Sequence, residues 1–319
     1  MKSLQKEMNT AIIFITHDMG LAKLIADKVL VLENGRIAEN QAFLSTKIQT
    51  SADNNTDVDT QPLLSVQDIA VVFKDTRGFF QSKSTHNIIA VDKVSFEIHK
   101  GTTLGLVGGS GCGKSTVSKC ILGLQNIQSG AIYFEDKRID NQHSKNFPDY
   151  RKAIQMVFQD PYASLNPRLT VKDVLTELIH IHKICNKDTI ESYINGLLDK
   201  VGLPISAKHK YPHEFSGGQR QRICIARALA VQPQLIVCDE SVAALDVKMQ
   251  QQILALLMTL QKEMQLSYLF ISHDLKLVAQ ISNHIIVMQS GKIVESNDAL
   301  SLMQSPQHLY TKELIAAIV

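Results

Sequence analysis

Short runs of apolar residues along the chain predict the buried strands of an α/β fold. The runs lie at residues 102–107, 131–135, 155–158, 235–238, 268–271 and 285–288, and two longer strands are predicted at 64–73 and 91–98. Residues 170–231 have a mainly helical pattern, with interruptions near Pro204 and Pro212. Strands that alternate with helices, with a helical insert in the middle, indicate an α/β core plus a helical subdomain.

A glycine-rich loop lies between the predicted strand 102–107 and a predicted helix at 114–124. It comprises Gly108, Gly109, Ser110, Gly111, Cys112, Gly113, Lys114, Ser115 and Thr116, and it matches every constrained position of GxxxxGK(S/T), the P-loop. The glycines let backbone N–H groups turn toward phosphate oxygens, Lys114 would reach the β- and γ-phosphates, and Ser115 would ligate Mg²⁺. The alternative is an ordinary glycine-rich turn, which the complete match and its strand–loop–helix context disfavour. The loop therefore predicts a nucleoside triphosphate site.

Composition narrows the classes of partner. The chain has 319 residues and a formal net charge of +2, so its charge gives no argument for nucleic-acid binding, and we predict no nucleic-acid partner. No apolar run approaches the roughly 18 residues that a membrane-spanning helix needs, and the N-terminus has no secretory pattern. The 5 cysteines lack CxxC spacing, which favours free thiols in a reducing cytosol. We expect a soluble, cytoplasmic chain whose membrane role, if any, comes through a partner.

An internal repeat links the two ends of the chain. The sequence Leu-Gln-Lys-Glu-Met at residues 4–8 recurs at 260–264, an offset of 256 positions. The same offset pairs His17 with His273, Gly35 with Gly291 and Glu39 with Glu295. Because this period has the size of a domain, the repeat indicates a duplicated domain and not a solenoid.

The repeat divides the chain into three parts. Residues 1–40 are predicted to be the truncated C-terminal remnant of a first domain, 41–62 a flexible linker without apolar periodicity, and 63–319 a complete domain. Met1 aligns with Leu257, inside a predicted helix, so the first copy lacks everything before that point. We expect that a deletion, frameshift or internal start removed it, and that the remnant is loosely ordered or docked on a partner.

Two acidic residues end the apolar run at 235–238. Downstream of a P-loop, Asp239 is predicted to hold Mg²⁺, directly or through water, and Glu240 to act as base for the attacking water. In isolation such a pair is commonly two solvated acids at the end of a strand, but the preceding P-loop disfavours that interpretation.

A serine and two glycines precede a helix that is predicted to run to Ala230. Ser216 would cap this helix, while Gly217 and Gly218 expose N–H groups and the helix dipole to an anion. The same pattern is also found in an ordinary turn before a helix. However, residues 215–223, Phe-Ser-Gly-Gly-Gln-Arg-Gln-Arg-Ile, resemble the signature motif of ATP-binding cassette (ABC) ATPases, in which Gln219 completes the SGGQ element.

The ABC resemblance covers residues 63–319 and implies a role for several further residues. Gln159 resembles the Q-loop glutamine, which contacts the Mg²⁺ site and links it to a transmembrane partner. Asp246 resembles the D-loop aspartate, and His273 the switch histidine that contacts the γ-phosphate. Phe73 is the candidate for the aromatic residue that stacks on adenine, with Phe79 and Phe80 as competitors. His17, the counterpart of His273, would be a relic, because the first copy has no P-loop, signature motif or acidic pair.

The implied fold is a P-loop NTPase core of the ABC ATPase type, with an antiparallel β-subdomain and a helical subdomain at about 160–231. The implied ligands are ATP and Mg²⁺. In this family the nucleotide lies between the P-loop of one domain and the signature motif of another, so Ser216 and Gly218 would act in trans. The second ATPase domain would come from a homodimer or from a separate subunit.

Residues 157–168 and the tail at 305–311 resemble the ATP-binding subunits of dipeptide and oligopeptide importers. Leu309 and Ser241 stand where that group usually has proline, and no cysteine follows Cys238, so no metal cluster is expected in the tail. The implied partners are permease subunits and, indirectly, an extracytoplasmic peptide-binding protein. The implied location is the cytoplasmic face of the inner membrane, through the permease.

The sequence leaves three alternatives to peptide import open. The same group includes nickel and glutathione importers. A soluble ABC protein of DNA repair or translation would show a zinc insertion, a coiled coil or a basic patch, and none is visible. A degenerate fragment that binds ATP without productive transport is the third reading, although the predicted catalytic residues are present.

Overall fold

The computed structural model describes residues 11–13, 26, 30, 32–33, 36–37, 61–74, 87–140 and 147–317. His17, Phe79, Phe80 and most of the predicted linker lie outside the described residues. The strands are β1 Leu32–Glu33, β2 Arg36–Ile37, β3 Leu64–Lys74, β4 Asn87–Ile98, β5 Thr103–Val107, β6 Ser129–Phe134, β7 Lys137–Arg138, β8 Ile154–Val157, β9 Leu235–Asp239, β10 Ser267–Ser272, β11 His284–Gln289 and β12 Lys292–Asp298. The α-helices are α1 Lys114–Ile121, α2 Phe147–Ala153, α3 Pro161–Ser164, α4 Val171–Ile181, α5 Ile190–Lys200, α6 Gly217–Leu229, α7 Val247–Met264, α8 Leu275–Ile281, α9 Ala299–Gln304 and α10 Leu309–Ala316.

The central sheet has the strand order β12-β11-β5-β10-β9-β8. The pairs from β11 to β8 are parallel, and β12 joins the edge antiparallel to β11. Every residue of β5, β9 and β10 is buried, which explains why these strands are nearly continuous apolar runs in the sequence. Because parallel strands all point the same way, the loops after β5, β8, β9 and β10 meet along one edge.

A second sheet, of order β4-β3-β6-β7, is antiparallel throughout. Its inner face shares one hydrophobic core with one face of the central sheet and with α1, in which Val66, Val94, Leu106, Val117 and Ile286 all take part. This layer fixes the position of the loop between β5 and α1.

The other face of the central sheet packs on the helices in the middle of the chain. Leu175 of α4, Ile194 of α5 and Ile223 of α6 belong to the same core as Ile236 of β9 and Phe270 of β10. Three short 3₁₀ helices, Lys187–Thr189, Ile205–His209 and Pro212–Glu214, connect these helices. The last of them leads directly into the turn before α6.

The short hairpin β1–β2 has the same pairing as part of the hairpin β11–β12. In the first, Leu32 pairs with Ile37 and Glu33 with Arg36. In the second, the residues 256 positions later, Met288 with Ile293 and Gln289 with Lys292, pair in that register. The turn of the second hairpin has Ser290 and Gly291 at positive φ, 49° and 83°, as a tight two-residue turn requires.

The predicted fold class, an α/β core with an antiparallel β-subdomain and a helical subdomain, is confirmed. The predicted helix at 114–124 was too long, because α1 ends at Ile121 and Gly123 adopts a positive φ of 65° just beyond the C-cap. The sequence pattern also missed β12, in which no residue is fully buried because the strand lies at the edge of the sheet. The short strand β7, with both residues exposed, was missed for lack of any apolar signal.

Candidate functional site: a phosphate loop, an acidic pair and a signature turn

The P-loop, residues 108–116, curls over the end of β5, and backbone neighbours lie close to two of its glycines. A Cβ atom on Gly108 would lie 2.3 Å from the Met288 carbonyl oxygen. One on Gly113 would lie 2.3 Å from the Ala90 carbonyl oxygen, and Gly113 also has a φ of 108°. The turn of the β11–β12 hairpin contacts the loop as well, since the Gly291 amide donates to the Cys112 carbonyl at 3.0 Å. Neighbours from both sheets thus define the path of the loop.

Lys114 lies folded against its own loop. Its Nζ donates to the carbonyl oxygens of Gly108 at 2.9 Å and Gly109 at 3.0 Å, and lies 3.8 Å from the Cys112 sulfur. The residue is only 5% exposed. A buried ammonium group whose hydrogen bonds go to neutral backbone carbonyls is well suited to receive the negative charge of a phosphate.

The backbone N–H groups of the loop are available to an anion. Gly113 is the N-cap of α1 and provides no side-chain cap. Within the described residues, no hydrogen bond engages the N–H groups at positions 111, 113, 114 and 115. Together with the positive end of the helix dipole, they form the arrangement that binds phosphate in P-loop proteins. These unused donors and the nearby Lys114 fit a nucleotide phosphate.

Asp239, the last residue of β9, lies beside α1. It is 9% exposed, and its Oδ2 lies 3.4 Å from the Ser118 hydroxyl. Burial raises the pKa of Asp239 above its ordinary value, although hydrogen bonds from Ser115 and Ser118 and the charge of Lys114 act in the opposite direction. A buried carboxylate beside serine hydroxyls offers the hard oxygen ligands that Mg²⁺ prefers, so the residues present fit this ion. Ser118 was missed in the sequence; it lies one helical turn after Ser115.

Glu240, the residue after Asp239, contacts two other predicted site residues. Its Oε2 accepts a hydrogen bond from the Gln159 side-chain amide at 2.7 Å, and its Oε1 lies 3.5 Å from His273 Nδ1. Gln159, Glu240 and His273 come from the loops after β8, β9 and β10, as the shared edge of the sheet requires. Glu240 adopts a positive φ of 47°, and its amide donates to the Ile271 carbonyl at 2.9 Å. The carboxylate is therefore held between an amide and an imidazole at the mouth of the site.

The signature turn, residues 216–219, begins α6. Ser216 is the N-cap, as predicted: its hydroxyl accepts from the Gln219 amide at 3.4 Å, and the Gln219 side chain accepts from the Ser216 amide at 3.1 Å. A Cβ atom on Gly218 would lie 1.8 Å from the Met249 methyl carbon, and one on Gly217 would contact Leu245 at 3.5 Å. In the described part of the chain, no hydrogen bond joins this turn to the P-loop. Met249 was missed, since its approach to Gly218 is a tertiary contact between α6 and α7.

The remaining predicted ligands of the nucleotide lie at element boundaries. Asp246 is the N-cap of α7, and its Oδ1 accepts from the Met249 amide at 2.8 Å. Phe73, near the end of β3, is 41% exposed, which leaves its ring accessible. Ser110 and Thr116 belong to the P-loop, and Thr116 donates its amide to the Gly113 carbonyl at 3.0 Å.

Two contacts of the site were not predicted from the sequence. The Tyr310 hydroxyl, from α10, accepts a hydrogen bond from the Gly109 amide at 2.7 Å. The guanidinium of Arg220, one residue after the signature turn, lies 3.6 Å from the centre of the Tyr162 ring, three residues after Gln159. All four residues belong to motifs that were recognised in the sequence, but the sequence does not show that these motifs contact one another.

The described residues contain no helix that is both long and apolar enough to cross a membrane. They also contain no group of three or more histidine, cysteine or acidic side chains arranged to hold a metal ion. The five cysteines are free thiols, four of them buried.

Comparison with known proteins points to one family. A model of the family described as ABC transporter matches residues 91–243. The glutathione import ATP-binding protein GsiA of Escherichia coli K12 is 40% identical over 357 aligned residues, which take in 99% of this chain and 57% of the relative. GsiA of Pectobacterium atrosepticum is 38% identical over 355 residues, with the same coverage. The chain thus spans 57% of the length of these curated relatives.

Solved structures with the same fold are also known. cbiO1 from Clostridium perfringens, part of the ABC transporter complex cbiONQ, superposes with a TM-score of 0.66 and 26% identity, over 76% of this chain and 91% of that one. An ATP-binding cassette in a dimeric post-hydrolysis state, bound to ADP and Pi, gives a TM-score of 0.64 and 25% identity, over 74% of this chain and 98% of that one.

Proposed function

Because the chain carries an ATP-binding domain of the ABC transporter family, we propose that it is the ATP-hydrolysing subunit of an importer. The observation that carries the proposal is the group around Glu240, in which Gln159 and His273 hold one carboxylate beside the P-loop. A nucleotide site that only binds does not need an acid fixed at this position, whereas hydrolysis needs a group that orients water next to the γ-phosphate.

The residues of the chain divide the work of hydrolysis between them. The P-loop amides and Lys114 bind the phosphates and neutralise part of their charge. Glu240 orients the attacking water and accepts its proton, while His273 contacts the γ-phosphate. Asp239, Ser115 and Gln159 would hold Mg²⁺, which neutralises further phosphate charge when bound. Catalysis is then largely positioning and electrostatics.

A complete site needs a second ATPase domain. The signature turn has its own cap and contacts α7, and no hydrogen bond among the described residues brings it to the P-loop of the same chain. We infer that Ser216, Gly217, Gly218 and Gln219 bind the nucleotide held by another domain, with Asp246 nearby at the interface. A homodimer or a separate subunit can supply that domain. Phe73 is the proposed platform for adenine.

The proposed domain organisation has a segment at 1–40 that repeats sequence found 256 positions later, a linker at 41–62 and an ATPase domain at 63–319, with the helical subdomain at about 160–231. Two observations support it. The hairpin β1–β2 pairs in the register of β11–β12, which lies 256 positions later. The alignment with GsiA includes 99% of the chain, so it also takes in the residues before 63.

The proposed cargo is a short peptide. The relatives are named as glutathione importers. Glutathione is a tripeptide, so their cargo belongs to the chemical class that the motifs at 157–168 and 305–311 imply. The proposed partners are permease subunits and, through them, an extracytoplasmic binding protein. The chain would work at the cytoplasmic face of the membrane.

Substitution of the base tests the catalytic proposal. In Glu240→Gln we expect ATP hydrolysis to fall by about a thousandfold, because a general base and its charge are lost, while binding of a fluorescent ATP analogue persists. Hydrolysis is measured by release of phosphate from the purified full chain with Mg²⁺. Glu263→Gln, an exposed acid on α7, is the matched control and should hydrolyse ATP at the normal rate. Unchanged turnover in Glu240→Gln would overturn the assignment.

The cargo is tested separately in cells that lack the gene. Complementation with the wild-type chain should restore uptake of labelled glutathione or of a labelled dipeptide, and complementation with Glu240→Gln should not. If neither compound depends on the chain, the cargo is wrong while the ATPase activity stands.

A further inference from the structure

The last helix contacts the phosphate loop through one hydroxyl group. Tyr310, at the second position of α10, accepts a hydrogen bond at 2.7 Å from the amide of Gly109, 201 residues earlier in the chain. We propose that Tyr310 is a positioning residue that fixes the phosphate loop in its nucleotide-binding conformation. The inference rests on the proposed function, because it concerns the affinity of the same loop for ATP.

The hydrogen bonds of Gly109 explain why this contact matters. On the other side of the residue, the Gly109 carbonyl accepts from Lys114 Nζ at 3.0 Å and from the Cys112 amide at 3.4 Å. Tyr310 therefore completes a set of bonds that fixes Gly109 through both of its polar backbone atoms. It does so without engaging the amides at 111 and 113–115, which remain available to phosphate.

One carboxylate binds the segment just before Tyr310. Glu295 of β12 accepts hydrogen bonds from the Gln307 amide at 2.8 Å, through Oε1, and from the His308 amide at 2.9 Å, through Oε2. Burial raises the pKa of Glu295, but hydrogen bonds to its carboxylate, led by that from the Gln307 amide, outweigh this effect and lower it. The carboxylate is therefore ionised at neutral pH, as its two amide donors require.

The tail is further ordered at the start of α10. His308 is the N-cap of this helix, and its Nδ1 accepts from the Tyr310 amide at 3.2 Å. Thr311, the next residue, is fully buried. Because β12 pairs with β11 and β11 pairs with β5, Glu295 ties the tail to the sheet that carries the loop. Glu295 and Tyr310 thus belong to one connection between the edge of the sheet and Gly109.

Loss of this connection should weaken nucleotide binding more than catalysis. Without its acceptor, the Gly109 peptide can rotate, and ordering it again on binding costs free energy. For one neutral hydrogen bond we expect ATP affinity to fall by about fivefold. Turnover at saturating ATP should change by less than about twofold, because among the described residues neither Asp239 nor Glu240 forms a hydrogen bond with Tyr310.

The test compares Tyr310→Phe, Glu295→Gln and the double variant in the full-length chain. Tyr193→Phe is the matched control, since its hydroxyl donates at 3.1 Å to the Ala230 carbonyl in the helical subdomain, away from the loop. The measurements are the dissociation constant for a fluorescent ATP analogue, KM and kcat for ATP, and hydrogen exchange of the peptide that contains Gly109 in the absence of nucleotide.

We expect Tyr310→Phe to raise the dissociation constant and KM by about fivefold, to leave kcat nearly unchanged and to speed exchange at Gly109. Glu295→Gln should act in the same direction, and the double variant should be no worse than the more severe single variant, because both remove one connection. Affinity in Tyr310→Phe within twofold of wild type, or an equal loss in Tyr193→Phe, would overturn the inference.

The readouts separate this inference from the proposed function. If the wild-type chain fails to bind the ATP analogue, the proposed function fails. Exchange at Gly109 then still decides whether Tyr310 holds the loop: faster exchange in Tyr310→Phe supports the connection, and unchanged exchange overturns it.

Discussion

The P-loop and the signature turn are both glycine-rich helix N-termini, but only one of them is capped. Gly113 precedes α1 without any side-chain cap, and in the described part of the chain the amides of Gly113, Lys114 and Ser115 have no acceptor. Ser216 precedes α6 in a complete capping box with Gln219. A helix that lacks a cap gains most from an anion, whereas a capped helix is stable without one. The phosphate loop is therefore the better suited of the two to bind an anion within one chain, and under the proposed function the signature turn adds its contacts when a second domain approaches.

The P-loop and the signature turn also differ in the charged groups that lie next to them. The phosphate loop lies beside a buried lysine, Lys114, and a buried carboxylate, Asp239, whose pKa is raised by burial. The signature turn is followed by Arg220, whose guanidinium is engaged by the Tyr162 ring and by the Pro212 carbonyl at 2.8 Å. Burial of the Asp239 carboxylate thus disfavours its charged form, whereas the guanidinium of Arg220 has partners within the chain.

The largest effect is expected from Asp239→Asn, which removes the buried charge of the loop half. We expect Mg²⁺-dependent hydrolysis to fall by at least about a hundredfold, because the proposed carboxylate ligand for Mg²⁺ is lost. At the same time the nucleotide-free variant should unfold at a higher temperature than the wild type at neutral pH. Phosphate release and thermal unfolding without nucleotide measure the two effects.

The pH dependence of this variant follows from the raised pKa of Asp239. A group whose pKa is raised on folding adds stability at low pH and loses it as the pH rises through the folded pKa. The difference in unfolding temperature between Asp239→Asn and wild type should therefore grow with pH and vanish at acidic pH, where both side chains are neutral. If Asp239→Asn is less stable than wild type at neutral pH, then the buried charge of Asp239 does not destabilise the folded chain, and the contrast with the signature turn fails. Asp188→Asn, on an exposed 3₁₀ helix, serves as control.

The next largest effect is expected from Gly218→Ala. Hydrolysis should fall by about tenfold to a hundredfold, while the affinity of the separate chain for ATP stays unchanged, because no hydrogen bond among the described residues joins the turn to the P-loop of its own chain. Phosphate release and binding of a fluorescent ATP analogue distinguish the two.

A second variant shows whether the loss comes from packing. The Cβ of Gly218→Ala would meet the Met249 methyl carbon at 1.8 Å, a contact that the double variant Gly218→Ala/Met249→Ala relieves. If the double variant regains hydrolysis, the glycine serves only to admit Met249. If activity stays low, the glycine is required for the approach of the nucleotide, as the comparison implies.

The smallest effect is expected from Ser216→Ala. Loss of the cap should cost about 1 kcal/mol and lower the unfolding temperature of the nucleotide-free chain by about 2–4 °C. Ser216→Asp keeps a cap and should retain most of this stability. Equal unfolding temperatures for wild type and Ser216→Ala would show that the signature helix is no better satisfied than α1, and the comparison would fail.

Much of this site was predictable because its chemistry lies in local motifs. The P-loop needs glycine, lysine and serine at fixed spacing, and the strands around it are buried on both faces, so the pattern at 102–116 was clear. The acids after β9 were found for the same reason. Gln159 and His273 were assigned by resemblance, and the structure brings both side chains to Glu240.

The parts that were missed depend on tertiary contacts. β12 lies at an edge, where one face is exposed and the apolar signal is weak. The end of α1 was set by Gly123 rather than by the apolar residues that continue to Leu124. Met249 and Tyr310 reach the site across long separations in sequence, and nothing in their local sequence indicates where their side chains lie.

The separation of Gly109 and Tyr310 by 201 residues has a consequence for how the protein is made. A chain emerges from the ribosome N-terminus first, and contacts distant in sequence form late. The phosphate loop is synthesised well before β9, β11 and α10, which supply Asp239, Met288 and Tyr310 around it. Nascent chains should therefore acquire high affinity for ATP only after most of the domain has emerged, so that nucleotide binding marks the completion of folding.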